Sequence, residues 1–264
     1  VLLEGDIVKV DVGATIEGFI GDAAVSLAVG ELWYSVLHEF PREGPPAKQA
    51  LREVATALVD HCISPRTGHF CMLRTPDGFQ DGRMLVAWAG VLQIARPLLL
   101  AGHTIEDNHL VTIAERAVDE VVAGAINPDS GLFHETFTGS RWVGNAWWPG
   151  LGHPALVSGH ACHLLLQMAE AVGDRASHWA DTARQVVTAA VRHQRADGRL
   201  PHGFSPLDGS PLEWRGFGGC FFVAPMLVMA RIDENERMTA AGRRALEHYW
   251  AEFCRLEWIG VDLD

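Results

Sequence analysis

The sequence predicts a mainly α-helical protein built from repeated helix pairs, with a short β-hairpin in front of them. Three observations support this prediction. Apolar residues recur at helical spacing in several separate segments, a similar glycine turn follows three of these segments, and a helix that is apolar on nearly every side follows each turn. Hydrophobic residues make up 48% of the 264-residue chain, which is enough for a sizeable core.

The predicted hairpin occupies residues 1–31. A strand-like run at 7–12 and a second apolar run at 23–29 are separated by a glycine-rich turn. The residues after the hairpin have the composition of a linker that ends in a helix-stopping cluster, Pro41-Arg42-Glu43-Gly44-Pro45-Pro46. We therefore divide the chain into a hairpin at 1–31, a linker at 32–45 and a helical domain at 46–264.

Four apolar stripes mark the outer helices of the helical domain. In each stripe the apolar residues recur after three and four positions along the chain, which places them on one side of an amphipathic helix. The stripes are Leu51, Val54, Ala55, Leu58, Val59 and Cys62; Leu110, Ile113, Ala114, Ala117, Val118 and Val121; Trp179, Ala183, Val186, Val187 and Ala190; and Leu246, Tyr249, Trp250 and Phe253. We expect these helices to lie on the outside of the domain, with the stripe facing inward.

A second kind of helix follows each of the first three stripes. The turns contain Gly68, Gly131 and Gly198, about 65 residues apart, and each turn leads through a polar loop and a Trp to a helix that is apolar nearly all round. Two of these inner helices contain a proline, Pro97 and Pro225, at which we expect a kink. Since every loop leaves an outer helix and enters an inner one, we expect the loops to gather at one end.

The loops and the alternation of helices resemble those of a known family. Typical loops are Asp77-Gly78-Phe79-Gln80-Asp81-Gly82 and Gln194-Arg195-Ala196-Asp197-Gly198-Arg199-Leu200-Pro201. With them, residues 46–264 resemble the six-hairpin (α/α) toroid glycosidases and their relatives, which include sugar epimerases and polysaccharide lyases. The resemblance implies an incomplete (α/α) toroid, because a closed ring needs six hairpins and the sequence has about three and a half. It also implies a carbohydrate partner.

The same resemblance implies carboxylates for acid/base chemistry and aromatic side chains that stack on sugar rings. Asp81, Glu213 and Glu135 are the candidate catalytic residues in the loops, with Asp77 and Asp208 ranked behind them. The candidate substrate-binding residues are Trp142, Trp147, Trp148 and Trp214. The alternatives are that an Asp beside a Gly forms a turn and that a Trp at the mouth of a buried helix anchors the packing.

The first residues resemble a different family. Residues 3–13 and 18–30, with turn glycines between Asp11 and Asp22, resemble a segment of the archaeal-type methionine aminopeptidases. The resemblance implies that Asp11 and Asp22 bind a pair of divalent metals. The His and the two Glu ligands that the family takes from later strands are not found in the sequence. The alternative is a hairpin whose aspartates flank its turns, and a fragment or a fusion of two gene segments accounts for both resemblances.

Composition excludes several classes of function. The formal net charge of −12 and the lack of Lys and Arg clusters argue against binding to nucleic acid or to an anionic membrane. The five cysteines are widely spaced, which indicates free thiols and a cytoplasmic location. No cofactor is expected, and a divalent metal is needed only in the aminopeptidase alternative. His160 and His163 are spaced to share a metal, but buried core histidines are the interpretation that we favour.

Three functions are therefore open. The favoured one is a carbohydrate-active enzyme of the glycoside hydrolase type, or a fragment of one, which acts through carboxylates at the loop end. The alternatives are a metal-dependent methionine aminopeptidase-like protein that lacks part of its site, and a non-catalytic helical module that binds a sugar or a protein partner. The open edge of an incomplete toroid exposes apolar surface, and it predicts self-association.

Overall fold

The structure is a computed structural model of the chain. It describes residues 44–63, 69–70, 74–75, 78–79, 84–85, 90–137, 141–144 and 152–255. The predicted N-terminal hairpin with Asp11 and Asp22 lies outside these residues, and so do Asp77, Asp81, Trp147 and Trp148. The aminopeptidase resemblance and the roles assigned to these six residues therefore stay predictions.

Seven α-helices account for most of the described chain. They are α1 (Gly44–Cys62), α2 (Val91–Ile105), α3 (Asn108–Gly124), α4 (Ala155–Val172), α5 (Ser177–Val191), α6 (Val223–Ile232) and α7 (Glu236–Arg255). Two short 3₁₀-helices, Asp174–Ala176 and Gly218–Phe222, come directly before α5 and α6. Helix α1 begins at Gly44 and so takes in Pro45 and Pro46, because prolines fit the first turn of a helix.

Eight short strands form three small antiparallel sheets in the described residues. They are β1 (Arg74–Thr75), β2 (Gly78–Phe79), β3 (Met84–Leu85), β4 (Thr136–Phe137), β5 (Trp142–Val143), β6 (His153–Pro154), β7 (Gly203–Phe204) and β8 (Pro211–Glu213). The sheets have the orders β1-β2, β3-β4-β5 and β6-β7-β8. No described strand exceeds three residues, so the strands fasten loops to one another and do not form a layer of the fold.

The described residues fall into two compact units. The first holds the described residues up to Arg83 together with Ile94–Ala117, and the second holds those of Met84–Gln93 and of Val118–Asp264. The second unit therefore contains helices α4 to α7. It also contains the loops that carry the candidate site.

The predicted outer stripes of α1, α3 and α5 are confirmed. The buried stripe residues are Leu51, Ala55 and Leu58 in α1, Leu110, Ala114, Ala117, Val118 and Val121 in α3, and Trp179, Ala183, Val186, Val187 and Ala190 in α5. Helices of this length are marginal in water by themselves. Burial of the stripe is therefore what holds each of these helices in place.

The stripe predicted for α7 is wrong for three of its four residues. Leu246, Trp250 and Phe253 are exposed, and only Tyr249 is buried. The residues that α7 buries are Ala241, Gly242, Ala245 and Tyr249. The helix carries two neighbouring apolar flanks, and it turns the flank with the small alanines toward the core. Hydrophobic periodicity finds both flanks but does not rank them.

The two inner-helix prolines lie at different depths in their helices. Pro97 is inside α2, as predicted. Pro225 is the third residue of α6, because the residues before α6 form a 3₁₀-helix instead of continuing the α-helix. A proline in the first turn removes no intrahelical hydrogen bond, so the kink predicted at Pro225 is not required by the sequence.

The inner helices differ in how fully they are buried. Helix α4 is apolar and buried on most sides, as predicted. Helix α6 is less buried than predicted, since Ala224 is exposed and Leu227 and Val228 are half-buried. None of the helices in the described ranges is both long enough and apolar enough to cross a membrane.

Candidate functional site

Two loops of the second unit meet at the N-terminal end of the inner helix α4. The 125–154 loop joins α3 to α4, and the 192–222 loop joins α5 to α6. Strand β6 of the first loop pairs with β7 of the second, with His153 opposite Phe204. The prediction that the polar loops gather at one end is therefore confirmed for these two loops.

Asn127 links the two loops through both ends of its side chain. Its Oδ1 accepts hydrogen bonds from the backbone N–H groups of Asp129 at 2.8 Å and Ser130 at 3.3 Å, which closes the turn after α3. These two donors identify the opposite atom as the amide nitrogen. Nδ2 donates to the carbonyl of Pro206 at 2.9 Å, in the other loop, and to Nε2 of His153 at 3.0 Å.

The bond from Asn127 fixes the tautomer of His153. Because Nε2 accepts that bond, the ring hydrogen is on Nδ1. The side chain is completely buried, and Nδ1 has no hydrogen-bond partner among the described residues. Burial, together with the nearby His134, lowers the pKa of His153 to about 4, so the ring is neutral at pH 7. His153 therefore holds a buried N–H group in a fixed direction.

His134 and Glu135 lie beside this histidine. The rings of His134 and His153 meet edge to face, with their centroids 5.2 Å apart. Burial lowers the pKa of His134 as well. The next residue, Glu135, is 2% exposed and leads into β4. One predicted catalytic carboxylate is thus adjacent in sequence to His134, whose ring contacts that of His153.

Glu213, at the end of β8, is held in its ionised form. Its Oε1 accepts the backbone N–H groups of Arg215 at 2.6 Å and Trp214 at 2.7 Å. These bonds favour the charged form and lower the pKa of Glu213. The lowered pKa keeps the carboxylate charged, so it can stabilise a positive charge, and it makes Glu213 a weaker base than an ordinary glutamate. The same bonds close the turn at Trp214 and Arg215, which is the structural alternative for this residue.

His202 lies next to Glu213 and also has a fixed tautomer. Its backbone N–H donates to the carbonyl of Glu213 at 2.7 Å. Its Nδ1 accepts the backbone N–H of Gly218 at 2.9 Å, so the ring hydrogen is on Nε2. Burial lowers the pKa of His202, and the charge of Glu213 opposes that shift. His202 is therefore a neutral N–H donor beside an ionised carboxylate.

Of the predicted sugar-stacking tryptophans, Trp142 and Trp214 lie in the described residues, and the ring of each already contacts another side chain. The guanidinium carbon of Arg195 lies 3.7 Å from the ring centroid of Trp214, so one face of that indole is occupied. Trp142 packs against Phe137 with centroids 5.2 Å apart, and a Cβ on Gly124 would lie 2.7 Å from its Nε1. Trp142 matches the packing alternative, and the second face of Trp214 is the better candidate for stacking.

Asp208 has the environment of a turn residue. Its Oδ1 accepts the backbone N–H of Ser210 at 3.0 Å and the Ser210 hydroxyl at 2.7 Å. These bonds, with a further one from Ser205, lower the pKa of Asp208. The turn-forming alternative accounts for this residue in full.

Glu135 and Glu213, the two described candidates that remain, lie on different loops that meet at His153. Glu213 pairs with Gly203 across β8 and β7, and Gly203 pairs with Pro154 across β7 and β6. The backbones of Glu213 and Pro154 are therefore two strand spacings apart, roughly 10 Å. Glu135 directly follows His134, whose ring contacts that of His153. The structure places both glutamates in the same pair of joined loops.

Four residues of this site were not predicted from the sequence: His134, His153, His202 and Asn127. A signal was present for His134 and His202, because each comes three or four residues after the glycine of a repeated turn. The role of Asn127 has no local signal, since its partners lie 26 and 79 residues further along the chain.

His160 and His163 lie further along α4. Burial and the nearby His163 lower the pKa of His160, and its ring lies 6.1 Å from that of Phe221. Within the described ranges, no group of three or more His, Cys, Asp or Glu side chains is arranged to hold a metal. The metal alternative for these two histidines has no third ligand there.

Solved structures with a similar fold are carbohydrate-processing enzymes. A D-mannose isomerase superimposes with a TM-score of 0.67 at 14% identity, over 88% of this chain and 60% of the isomerase. An unsaturated glucuronyl hydrolase from Bacillus sp. GL1 gives 0.65 at 15% identity, over 88% of this chain and 67% of the hydrolase. A GH76 α-mannanase from Bacteroides thetaiotaomicron gives 0.63 at 16% identity, over 89% and 61%.

These similarities define the fold class. They confirm a mainly α protein of the (α/α) toroid class, as the sequence predicts. The chain spans about three-fifths of the length of the isomerase and of the mannanase. No protein-family model matches the sequence, and no curated protein matches it significantly.

Proposed function

We propose that the chain is a carbohydrate-processing enzyme that binds and acts on its sugar at the joined 125–154 and 192–222 loops. The observation that carries the proposal is the meeting of these loops, which bring neutral histidines of fixed tautomer together with Glu135 and Glu213. Sugar hydroxyls both donate and accept hydrogen bonds, so their recognition needs partners of defined direction. By their names, the similar solved structures act on sugars, which supports the same substrate class here.

The reaction that we assign is hydrolysis of a glycosidic bond. Glu135, almost completely removed from solvent, gives its proton to the glycosidic oxygen as the bond to the anomeric carbon breaks. Glu213, already ionised, takes a proton from the water that adds to this carbon. One water is consumed, and the proton passes from Glu213 back to Glu135 through solvent. Asp81, the third predicted catalytic residue, stays a candidate for either role.

The state of the histidines favours donor roles for them. His153 carries its hydrogen on Nδ1 and His202 carries its hydrogen on Nε2, and in each ring the other nitrogen already accepts a hydrogen bond. Neither ring has an uncommitted nitrogen that could remove a proton from a substrate. We assign both to hydrogen bonds with sugar oxygens, and we assign Glu213 as the base.

Isomerisation of a reducing sugar is the second candidate, and the pairing of Glu213 with His202 favours it. Glu213 would remove a proton from the carbon next to the carbonyl, while Nε2 of His202 donates a proton to the carbonyl oxygen. Glu213 then returns its proton to the former carbonyl carbon, and the hydroxyl on the neighbouring carbon gives its proton to Nε2 of His202, so that the carbonyl moves by one carbon and both residues are restored. Substrate and product then have the same mass, which separates this reaction from hydrolysis.

The test is product analysis on a panel of sugars taken from the similar enzymes. The panel contains mannose, an unsaturated glucuronyl disaccharide and α-mannan oligosaccharides. Hydrolysis releases shorter sugars that mass spectrometry detects, and in H₂¹⁸O they carry the heavy oxygen. Isomerisation changes the NMR signals of the reducing end at constant mass. We expect hydrolysis of at least one glycoside in the panel.

Matched variants connect the activity to the loops. We expect Glu135→Gln and Glu213→Gln each to lower turnover by about 100-fold or more. Glu170→Gln, an exposed carboxylate on α4 outside the loops, provides the control and should leave turnover unchanged. Equal activity of Glu213→Gln and Glu170→Gln would remove Glu213 from the mechanism.

A non-catalytic sugar-binding module is the main alternative to an enzyme. The observation behind it is that the chain spans only about three-fifths of two of the similar enzymes. This alternative predicts that a sugar from the panel binds in a calorimetric titration but is returned unchanged. Loss of that binding in a His153→Gln variant would place the bound sugar at the same loops.

The aminopeptidase alternative is tested separately, because Asp11 and Asp22 lie outside the described residues. It predicts Mn²⁺-dependent release of methionine from short peptides, with loss of the activity in Asp11→Asn. Release of methionine that persists in that variant, or no release at all, contradicts this alternative.

A further inference from the structure

The outer helices α3, α5 and α7 share five corresponding positions along one stripe. The positions are Leu110, Ala114, Ala117, Val118 and Val121 in α3; Trp179, Ala183, Val186, Val187 and Ala190 in α5; and Met238, Gly242, Ala245, Leu246 and Tyr249 in α7. The first, second, third and fifth positions are buried or half-buried in all three helices. The remaining position, occupied by Val118, Val187 and Leu246, differs between the helices.

The fourth position of the stripe is buried in α3 and α5 and exposed in α7. Val118 and Val187 are 0% exposed, whereas Leu246 is 48% exposed. One turn further along the same flank, Trp250 is 68% exposed, while the corresponding Val191 is half-buried. Two large apolar side chains side by side form a surface that monomers seldom leave in contact with water.

In α5, this flank lies against the next hairpin. Gln194, just beyond α5, donates from Nε2 to the carbonyl of Ala241 in α7 at 2.9 Å. On the same flank, Arg184 donates from Nε and Nη2 to the carboxylate of Asp233, which stands in the turn before α7. The flank that α7 exposes is therefore an interface in α5.

The preceding outer helix holds its neighbour in the same way. Asp119 of α3 accepts hydrogen bonds from Nε2 of His178 at 2.9 Å and from Nε1 of Trp179 at 2.7 Å, both in α5. A charged side chain beside the apolar stripe thus fastens each outer helix to the next one.

These charged groups have counterparts in α7. Arg243 occupies in α7 the position that Arg184 occupies in α5, and Glu247 occupies the position of Asp119 in α3. Both counterparts are exposed. Helix α7 therefore carries the apolar and the charged parts of an interface that the two preceding outer helices use.

We propose that this flank of α7 binds the same flank of a second copy of the chain. The inference does not rest on the function proposed above. Arg243 and Trp250 lie two turns apart on one side of the helix, with Leu246 between them. When two α7 helices run antiparallel about a two-fold axis beside Leu246, each Arg243 lies opposite Trp250 of the other copy. The two Leu246 side chains meet near the axis.

The chemistry of the flank makes it complementary to itself. A guanidinium group stacked on an indole ring is attractive, and the chain already forms this contact between Arg195 and Trp214 at 3.7 Å. A two-fold axis forms the corresponding contact between Arg243 and Trp250 twice. It also removes both tryptophans and both leucines from water, which is the main gain on association.

Sedimentation velocity tests the proposal on the full chain, at about 1 to 100 μM, where dimers of moderate affinity form and dissociate. We expect a dimer whose fraction rises with concentration. Trp250→Glu should raise its dissociation constant by about 30-fold or more, because it removes a central aromatic contact. Leu207→Glu is the control, since Leu207 is more exposed (82%) but lies in the 192–222 loop, and it should leave the dissociation constant unchanged.

Cross-linking provides a second measurement that does not depend on the folding of the charged variant. In a Cys254→Ser background, Leu246→Cys places one thiol near the axis of each copy, and mild oxidation should join the two copies by a disulfide. A cysteine at Leu207 should not be joined. A chain that is monomeric across the whole concentration range, or a dimer that Trp250→Glu and Leu207→Glu leave equally intact, overturns the proposal.

Discussion

The helices and the loops of the second unit bury different kinds of groups. Helix α5 buries an apolar stripe around Trp179, and the one polar atom of that side chain is satisfied by Asp119. The loops bury polar side chains instead, among them His153 and Glu135. A buried polar group is costly unless its partners are in place, so the loops depend on stability that the helices supply. Substitutions should therefore affect stability most in the helices and activity most in the loops.

The largest loss of stability is expected at Trp179. Trp179→Ala removes a buried indole from the stripe of α5 and leaves Asp119 with one donor, His178, instead of two, so it should lower the free energy of unfolding by about 3 to 5 kcal/mol. Trp179→Phe keeps most of the packing and should cost about 1 to 2 kcal/mol. Urea unfolding measures both. A cost below about 1 kcal/mol for Trp179→Ala contradicts the assignment of α5 as a packed outer helix.

The burial of His153 in the loops should make the free energy of unfolding depend on pH. Its pKa is about 4 in the folded chain against an ordinary 6.5, so the unfolded chain takes up the proton first as the pH falls. The contribution of neutral His153 to the free energy of unfolding is fully present above pH 6.5. It is lost as the pH falls from 6.5 toward 4, by up to about 3 kcal/mol.

His153→Gln removes this pH-dependent contribution while keeping an acceptor for Asn127. We expect the wild-type free energy of unfolding to fall more steeply than that of the variant between pH 6.5 and pH 4. Urea unfolding at a series of pH values gives both slopes, and other histidines contribute equally to the two proteins. Identical slopes would mean that His153 is not held neutral by burial.

Asn127 should have a smaller effect on stability because its contacts are a few hydrogen bonds. Asn127→Ala removes the acceptor for the turn and both donors that link the loops, and we expect a loss of about 1 to 2 kcal/mol. Asn127→Asp keeps the acceptor and places a carboxylate beside Nε2 of His153. It should raise the pKa of His153, which NMR titration of the ring measures. An unchanged titration contradicts the contact.

Glu213 is expected to show the smallest change in stability together with a large change in activity. Its side chain is only half-buried, and Glu213→Gln keeps an oxygen that can accept the same backbone N–H groups. The free energy of unfolding should therefore change by less than about 0.5 kcal/mol, while turnover of the sugar falls by the factor given above. A variant that loses activity only because it unfolds would show Glu213 to be a turn residue.

Much of the helical framework follows from periodicity in the sequence. The stripes of α1, α3 and α5 are buried as predicted, because a single apolar side leaves one way to pack each helix. Periodicity does not predict the buried side of α7, where a flank with Ala241 and Ala245 is buried and the flank with Leu246 and Trp250 is exposed. The sequence predicts a kink at Pro225, but a 3₁₀-helix takes up the residues before it and leaves this proline in the first turn of α6. Both failures depend on neighbours that are remote in sequence.

The candidate site is predictable in position but not in detail. The loops gather where the alternation of helices places them, and Glu135 and Glu213 are on them. The tautomers of His153 and His202 could not be predicted, since they depend on single hydrogen bonds from Asn127 and Gly218. Such bonds form only after the loops have met. Local patterns therefore locate the site, and long-range contacts set its chemistry.

The central claim is that a sugar is bound and processed where the 125–154 and 192–222 loops meet. The most direct test is a crystal structure of the Glu213→Gln variant soaked with the glycoside that the wild type hydrolyses. We expect the glycosidic oxygen to lie within hydrogen-bond reach of Glu135 and sugar hydroxyls to contact His153 or His202. A sugar bound away from both loops, or no bound sugar at concentrations that saturate turnover, would contradict it.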